Sequence, residues 1–294
     1  MQGKVKIAVI GSTGQLGGDI VEVFSQNDSF ECVALSHSDI DVVNAESCQV
    51  LKEIKPDFVI NTASFVRVDD CEVMPDKAMQ VNGIGALNIA KICKEINAFN
   101  IYISTDYVFD GEKKEPYVEE DFPQPINVYG ASKYLGEIFT KAYSKDYAII
   151  RVASLYGKRG ARGKGGNFVE FMIAKAKNNE DIYVVDDMIM SPTYTMHVAK
   201  MLEKMIKEGK IENGIYHMTN EGFCSWYEFT EKIFEILGWR DVKLNRIKTK
   251  DLNRLAKRPL FSALENKRLK ELGLKMPRWE EALKEYLMEK RYLK

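Results

Sequence analysis

Three residues of the 294-residue chain have the types and the spacing of an acid–base site: Thr105, Tyr129 and Lys133. Lys133 follows Tyr129 by four residues, which places the two side chains on one helix face, one turn apart. An ammonium group there favours the phenolate and should lower the pKa of Tyr129 from about 10 toward neutral pH. Such a tyrosine can protonate a carbonyl oxygen as hydride reaches the carbon. The pattern therefore predicts carbonyl reduction, with Thr105 hydrogen-bonding the substrate carbonyl.

A tyrosine and a lysine four residues apart carry little weight alone, because the chain contains 14 tyrosines. The weight comes from the segment Gly11–Gly17, which separates a predicted strand, Val5–Ile10, from a predicted helix, Gln15–Gln26. Glycines at such a junction permit a tight turn and let the backbone approach a pyrophosphate, which the helix N-terminus then binds. The chain thus contains, in this order, a phosphate loop, a strand-end hydroxyl and a Tyr–Lys pair. This order predicts a nicotinamide dinucleotide cofactor, and Lys133 would also reach the ribose of its nicotinamide.

The end of the second predicted strand bears on the choice of dinucleotide. An acidic residue at that point would hydrogen-bond the ribose hydroxyls of NAD. The sequence there is Leu35-Ser36-His37-Ser38, so Ser36 offers no carboxylate to repel a 2′-phosphate. This favours NADPH, with NADH left open.

Alternating strand and helix patterns predict the fold. Short apolar runs, typical of strands buried on both faces, occur at Val5–Ile10, Cys32–Leu35, Phe58–Asn61, Ile101–Ser104 and Tyr147–Arg151. They predict an α/β protein with a Rossmann-type, doubly wound parallel sheet. We assign residues 1–155, plus returning segments, to the dinucleotide-binding domain and 156–294 mostly to a smaller substrate-binding lobe, including a strand at Ile215–Met218. The segment Gly157–Gly166, rich in glycine and cations, is interpreted as a solvated loop, with phosphate contact or lid closure as the alternative.

Composition excludes several functions. The formal net charge of -1 gives no basic excess for nucleic acid or a membrane surface. Five scattered cysteines without a CxxC pair favour a reducing, cytoplasmic location. The three histidines lie far apart and none stands at ligand spacing from a cysteine, so no metal site is expected.

Nine segments of the chain carry a family resemblance: Gly11–Gly17, Val59–Ala63, Ser104–Gly111, Asn127–Lys133, Gly166–Val169, Ser191–Thr193, Gly214–His217, Ser225–Phe229 and Arg258–Leu264. On these segments the chain resembles the dTDP-4-dehydrorhamnose reductases, which are extended short-chain dehydrogenases. The resemblance implies reduction of the 4-keto group of a dTDP-linked deoxyhexulose, a nucleotide sugar, and leaves a homodimer open.

The resemblance also implies roles for individual residues. The catalytic trio would be Thr105, Tyr129 and Lys133. Together with the residue arguments above, the predicted cofactor contacts are Gly11, Thr13, Gly14, Gln15, Leu16, Gly17, Ser36, Asp41, Val42, Ala63, Ser64, Phe65, Tyr129 and Lys133. The predicted substrate contacts are Thr105, Asp106, Ser154, Asn167 and Arg258.

The sequence departs from the family pattern around the sugar. Ser154 stands where the family commonly has a tryptophan that touches the sugar, and Met188 and Met190 replace a polar residue and a glycine. These departures leave the identity of the sugar open. Two other functions also stay open: a nucleotide-sugar epimerase or dehydratase on the same fold, and a non-catalytic regulatory subunit of the methionine adenosyltransferase type.

Overall fold

A computed structural model describes residues 3–160 and 166–293. Their strands are β1 (Val5–Ile10), β2 (Phe30–Leu35), β3 (Phe58–Asn61), β4 (Phe99–Thr105), β5 (Tyr147–Val152), β6 (Leu155–Tyr156), β7 (Ile182–Val185), β8 (Ile189–Met190), β9 (Thr193–Tyr194), β10 (Gly214–His217), β11 (Cys224–Ser225) and β12 (Leu244–Ile247). Their α-helices are α1 (Gln15–Ser25), α2 (Val50–Ile54), α3 (Val68–Val73), α4 (Pro75–Ala78), α5 (Gly85–Ile96), α6 (Val128–Tyr143), α7 (Phe168–Lys177), α8 (Thr195–Lys207), α9 (Trp226–Leu237), α10 (Lys267–Glu271) and α11 (Trp279–Glu289). Residues 161–165, the centre of the predicted loop Gly157–Gly166, lie outside the described residues.

The main sheet has six parallel strands in the order β2-β1-β3-β4-β5-β10. The chain leaves β1 for β2 on one side and returns to β3 on the other, so the strand order reverses between β1 and β3. Open α/β sheets bind ligands outside the carboxyl ends of the strands at such a reversal. The doubly wound Rossmann-type sheet is confirmed, and its topology places the glycine-rich loop after β1 at the ligand-binding edge.

Two later segments return to this first unit. The strand that we assigned to the substrate lobe is β10, and it pairs in parallel with β5 from Gly214 beside Ala148 to His217 beside Arg151. Helix α8 packs on α1, and its Val198 and Leu202 side chains belong to the same core as Ile7 of β1. The physical reason is that β5 and α1 would otherwise leave an unpaired edge and an uncovered apolar face.

The remaining elements pack around a second core. Helices α7, α9 and α11 meet there around the aromatic side chains of Tyr156, Phe229, Trp279 and Tyr286. The N-terminus of α9 is fixed by a capping box, in which Ser225 and Glu228 exchange side-chain and backbone hydrogen bonds. This core faces the carboxyl ends of the main sheet, so a cleft separates the two units.

Two global properties accompany this fold. Within residues 3–160 and 166–293, no helix combines the length and the apolarity that a membrane span requires. Cys32, Cys48, Cys93 and Cys224 are free thiols.

Candidate active site

The glycine-rich loop between β1 and α1 has the shape of a phosphate cradle. Gly11 adopts a φ of +79°, and a Cβ there would lie 2.6 Å from Thr62 Oγ1. A Cβ on Gly17 would lie 2.3 Å from the Gly11 carbonyl oxygen. No larger residue tolerates such distances, so the loop closes tightly on the segment after β3. The first N–H groups of α1 have no side-chain cap and are free for an anion.

A cavity of about 890 Å³ extends from this loop, past the ends of β3 and β4, into the second lobe. Of the predicted cofactor contacts, its walls include Gly14, Gln15, Leu16, Gly17, Ser64, Tyr129 and Lys133. Of the predicted substrate contacts, they include Thr105, Asp106, Ser154 and Asn167. Half of the predicted cofactor contacts and four of the five predicted substrate contacts thus open onto one continuous space.

The other predicted contacts lie away from the cavity walls: Gly11, Thr13, Ser36, Asp41, Val42, Ala63, Phe65 and Arg258. Gly11 acts through the shape of the loop. The Asp41 Oδ1 atom accepts a hydrogen bond from the Val43 N–H (3.1 Å), and the Val42 carbonyl accepts one from Asn88 (2.9 Å). A role for Asp41 and Val42 beside the adenine stays a prediction.

The three predicted catalytic residues converge at the carboxyl edge of the sheet. Thr105 is the last residue of β4, and Tyr129 lies in the first turn of α6, which Asn127 caps by accepting from the Gly130 N–H (2.8 Å). The Thr105 side chain lies beside the Tyr129 phenol and acts to lower its pKa. The Thr105 hydroxyl also donates to Asp106 Oδ1 over 3.0 Å. Strand β4 and helix α6 therefore bring together residues 24 positions apart in the sequence.

The ionisation of Tyr129 differs from our expectation. Burial raises its pKa above the usual 10, and the Thr105 side chain offsets this in part. The predicted lowering of the Tyr129 pKa toward neutral pH is therefore wrong, because desolvation of the phenolate outweighs any stabilisation by Lys133. A raised pKa keeps Tyr129 protonated at neutral pH, which is the form that a proton donor needs.

Lys133 is buried, and no carboxylate of the described residues lies within ion-pair distance of it, a contact that a buried ammonium usually has. It is 3% exposed, and its Nζ atom lies 4.2 Å from the centroid of the Tyr102 ring. Burial lowers its pKa from 10.5 to about 7, and the Glu137 carboxylate raises it in part. Lys133 therefore gains or loses its proton near neutral pH, and the cation–π contact with Tyr102 favours the charged form.

Asn82, which we did not predict, connects the two sides of the cofactor cleft. Its Oδ1 atom accepts from the Phe65 N–H (2.8 Å) and the Ser64 hydroxyl (2.9 Å), and its Nδ2 atom donates to Ser132 Oγ (2.9 Å). It lies in a π-helical segment, Met79–Ile84. Such segments often accompany functional sites, but single-sequence periodicity does not distinguish them from an α-helix.

The substrate side of the cavity contains one free carboxylate oxygen. Asp106 is buried, its Oδ2 atom has no geometric hydrogen-bond partner among the described residues, and burial raises its pKa to about 6, although the Ser262 and Thr105 side chains lower it in part. In contrast, the Asn167 Nδ2 group donates to the Gly157 carbonyl (2.8 Å) and to the Tyr286 hydroxyl (2.9 Å). Asp106 is therefore available to a sugar hydroxyl, whereas the Asn167 amide is already occupied.

Sequence reasoning also missed an aromatic wall. Phe168, Phe171 and Trp226 line the cavity in the second lobe, and the Phe168 and Trp226 ring centroids are 4.5 Å apart. Phe168 and Phe171 are neighbours on one face of α7. The segments Gly166–Val169 and Ser225–Phe229 were noticed as motifs, but only the fold shows that they meet.

With the site described, comparisons with known proteins identify the family. Residues 5–292 match the family described as RmlD substrate binding domain. The chain belongs to the dTDP-4-dehydrorhamnose reductase family. It is 38% identical to the spore coat polysaccharide biosynthesis protein SpsK of Bacillus subtilis (strain 168), over 97% of this chain and 98% of the relative. It is 34% identical to a dTDP-4-dehydrorhamnose reductase of Aggregatibacter actinomycetemcomitans, over 95% and 97% of the two chains.

A solved relative shows the same fold. The dTDP-4-dehydrorhamnose reductase of Bacillus anthracis str. Ames, crystallised in complex with NADP, is 38% identical, with a TM-score of 0.91 over 98% of this chain and 100% of that one.

In this member of the dTDP-4-dehydrorhamnose reductase family, three residues lie differently from what the family resemblance led us to expect. Arg258 is bound by Asp69, whose carboxylate oxygens lie 3.1 and 2.8 Å from its guanidinium nitrogens, and it does not line the cavity. Met188 and Met190 are buried in the protein and are also not cavity walls. Their change from the family pattern therefore acts on packing. Ser154 does line the cavity, with a φ of +43°.

A carboxylate does lie beside the residue that should determine the 2′ preference. Asp39 Oδ2 accepts from both the Ser36 N–H (2.8 Å) and the Ser36 hydroxyl (2.6 Å). These hydrogen bonds hold the pKa of the Asp39 carboxyl below its usual value, so it is charged at neutral pH. Because a negative charge repels a 2′-phosphate, this contact opposes the preference for NADPH that Ser36 alone suggested.

We predict that Asp39→Asn shifts cofactor preference toward NADPH. Because the substitution removes the negative charge that repels a 2′-phosphate, the ratio of kcat/KM for NADPH over NADH should rise several-fold. Steady-state kinetics with each dinucleotide measures this ratio. Asp28→Asn is the matched control, since Asp28 is exposed near the other end of β2. An equal ratio in both variants and the parent would show that Asp39 does not act on the 2′ position.

Proposed function

We propose that the protein is an NAD(P)H-dependent reductase of the 4-keto group of a nucleotide-linked deoxyhexulose, of the dTDP-4-dehydrorhamnose type. The observation that carries this proposal is the cavity that joins the Gly14–Gly17 loop, the Thr105–Tyr129–Lys133 trio and the second lobe. The reductase names of the relatives, and the NADP bound by the Bacillus anthracis enzyme, support it.

The loop after β1 fits a dinucleotide, because a Cβ on Gly17 would fill the space that an approaching pyrophosphate needs and would strike the loop itself. Gly14, Gln15 and Leu16 would hold the pyrophosphate, and Lys133 the nicotinamide ribose. Bound NADPH or NADH would supply the hydride for the substrate carbonyl. Both dinucleotides fit the proposal.

The acid in the reaction is Tyr129. Its raised pKa keeps the phenol neutral, so it can donate its proton to the carbonyl oxygen as negative charge develops there. The Thr105 hydroxyl, which donates to Asp106 Oδ1 here, would turn its proton to the same oxygen and stabilise the negative charge there. The charged form of Lys133 stabilises the tyrosinate that remains after proton transfer.

The second lobe, mostly residues 156–294, suits a nucleotide sugar. Phe168, Phe171 and Trp226 offer aromatic surfaces to a base. Arg254 has no carboxylate within ion-pair distance among the described residues, yet it acts electrostatically on Tyr107, a cavity residue. A guanidinium near Tyr107, on which only the more distant Asp69 carboxylate acts, would attract an anionic diphosphate. Ser154 contributes only a small side chain at the sugar end.

The decisive experiment mixes the protein with a panel of 4-keto nucleotide sugars and either NADH or NADPH, and follows nicotinamide absorbance. We expect stoichiometric loss of the reduced cofactor with at least one sugar, fastest with a dTDP-linked one. If no sugar consumes reduced cofactor, the reductase proposal is wrong. Conversion of a sugar without net cofactor consumption would instead indicate an epimerase or a dehydratase.

We predict that Tyr129→Phe abolishes turnover while dinucleotide binding stays within a few-fold of the parent. Phenylalanine retains the ring but lacks the proton, and the loss of one general acid typically costs 100-fold to 10,000-fold in rate. Turnover and fluorescence titration of the dinucleotide measure the two effects. Tyr134→Phe, on the same helix, is the matched control and should keep full activity. A Tyr129→Phe variant with parental turnover would remove Tyr129 as the proton donor.

We also predict that activity decreases with rising pH through the ionisation of Lys133. Its pKa of about 7 means that the ammonium is present below neutral pH and lost above it. Hence kcat/KM for the dinucleotide, which reports the free enzyme, should fall about tenfold per pH unit above that value. Lys133→Arg should flatten the profile, because arginine stays charged. A profile unaffected by this substitution would assign the ionisation to another group.

A further inference from the structure

A buried ion pair lies directly behind Lys133, outside the cavity. Glu137 follows Lys133 by one helical turn and is 2% exposed, and Arg151 at the end of β5 is 1% exposed. The Arg151 Nε and Nη2 atoms donate to the two Glu137 oxygens over 2.9 and 2.7 Å. The Ser104 hydroxyl donates to Glu137 Oε1 over 2.5 Å. Burying two charges in this way rarely stabilises a fold relative to apolar side chains of the same size, so the pair calls for another explanation.

The pair is connected to Lys133 through β4. Tyr102 and Ser104, two residues apart, lie on the same face of this strand. The Tyr102 ring contacts the Lys133 ammonium, and the Ser104 hydroxyl binds Glu137. The Tyr102 hydroxyl donates to the Asn82 carbonyl over 2.9 Å, which fixes the ring. Lys133 and Glu137 are therefore held over adjacent positions of one rigid strand.

Charged and titratable groups approach this part of α6 from several elements: Tyr129 and Glu137 on α6, Tyr102 on β4, Arg151 on β5, Asp106 and Tyr107 in the turn after β4, and Cys71 on α3. Among the described residues, Glu137 is the one whose charge acts on the Lys133 ammonium. Its hydrogen bonds to Arg151 and Ser104 fix where that charge lies.

We propose that Glu137 is a positioning residue for Lys133. Clamped by Arg151 and Ser104, its carboxylate keeps the Lys133 amine charged in a buried place and directs it toward the cavity. Glu137 does not line the cavity, so it acts through Lys133 alone. This inference rests on the proposed function only in that Lys133 is taken to serve the cofactor and Tyr129.

The first test is the pH dependence of Glu137→Gln, which preserves the size of the side chain and removes its charge. We expect the high-pH decrease in kcat/KM for the dinucleotide to move at least one pH unit lower, so that activity at pH 8 falls about tenfold relative to the parent. At the acidic end the variant should approach parental activity. A purely structural role would instead lower activity equally at every pH.

A second variant covers the case in which Glu137→Gln fails to fold because Arg151 is left unpaired. Glu137→Gln combined with Arg151→Met removes both buried charges, and such replacements are usually tolerated. We expect a shift in the same direction, because the Glu137 charge that raises the Lys133 pKa is again removed. Glu119→Gln is the matched control, since Glu119 is largely buried but is bound by the backbone N–H groups of His217 and Arg268. It should leave the pH profile unchanged.

A direct readout separates this inference from the reductase proposal. In protein labelled with ¹⁵N-lysine, the Lys133 Nζ signal is identified by its absence from Lys133→Met, and its pKa is read by titration without any substrate. A lower Lys133 pKa in Glu137→Gln, or in the double variant, supports the inference even if no sugar is reduced. An unchanged Lys133 pKa in both overturns it, whatever the enzyme activity.

Discussion

The site depends on one unfavourable placement, an amine held in the protein interior. Lys133 is desolvated between α6 and β4, where the face of the Tyr102 ring and the nearby Glu137 carboxylate replace lost hydration. Water would hold the ammonium at a pKa above 10, and burial alone would discharge it. These opposing effects leave the Lys133 amine with a pKa near neutral pH, so a bound anionic dinucleotide would favour its charged form. The geometry of Tyr129 and Thr105 has chemical value only because this balance exists.

The sequence predicted the features that depend on local pattern. The parallel sheet follows from apolar runs, and the glycine loop follows from steric limits that the +79° φ of Gly11 demonstrates. Contacts between segments far apart in the chain could not be predicted from the sequence. The attachment of β10 to β5, the Asp69–Arg258 ion pair and the approach of Phe168 to Trp226 each join distant segments. Periodicity within a window contains no information on such contacts.

Desolvation is the physical term that sequence reasoning handled worst. The spacing of Tyr129 and Lys133 suggested direct electrostatic activation. Both side chains are buried, however, so the Tyr129 pKa is raised and the Lys133 pKa is lowered, and both shifts favour the neutral form. Ser36 illustrates a related effect. Its own side chain is neutral, yet a hydrogen-bonded turn brings the Asp39 carboxylate to it. In each case the neighbouring groups, rather than the residue type, determine the charge that a ligand meets.

The return of β10 to the main sheet has a consequence for synthesis of the chain on the ribosome. When residues 1–152 have emerged, β5 still presents an open edge of unpaired N–H and C=O groups. That edge closes only after residue 217, and Val198 and Leu202 of α8 cover α1 only shortly before. The nascent nucleotide-binding half therefore stays partly uncovered while about 65 further residues are synthesised. At 5–20 residues per second, this takes about 3–13 seconds. During that interval, rather than in the finished enzyme, the chain is most exposed to aberrant strand pairing.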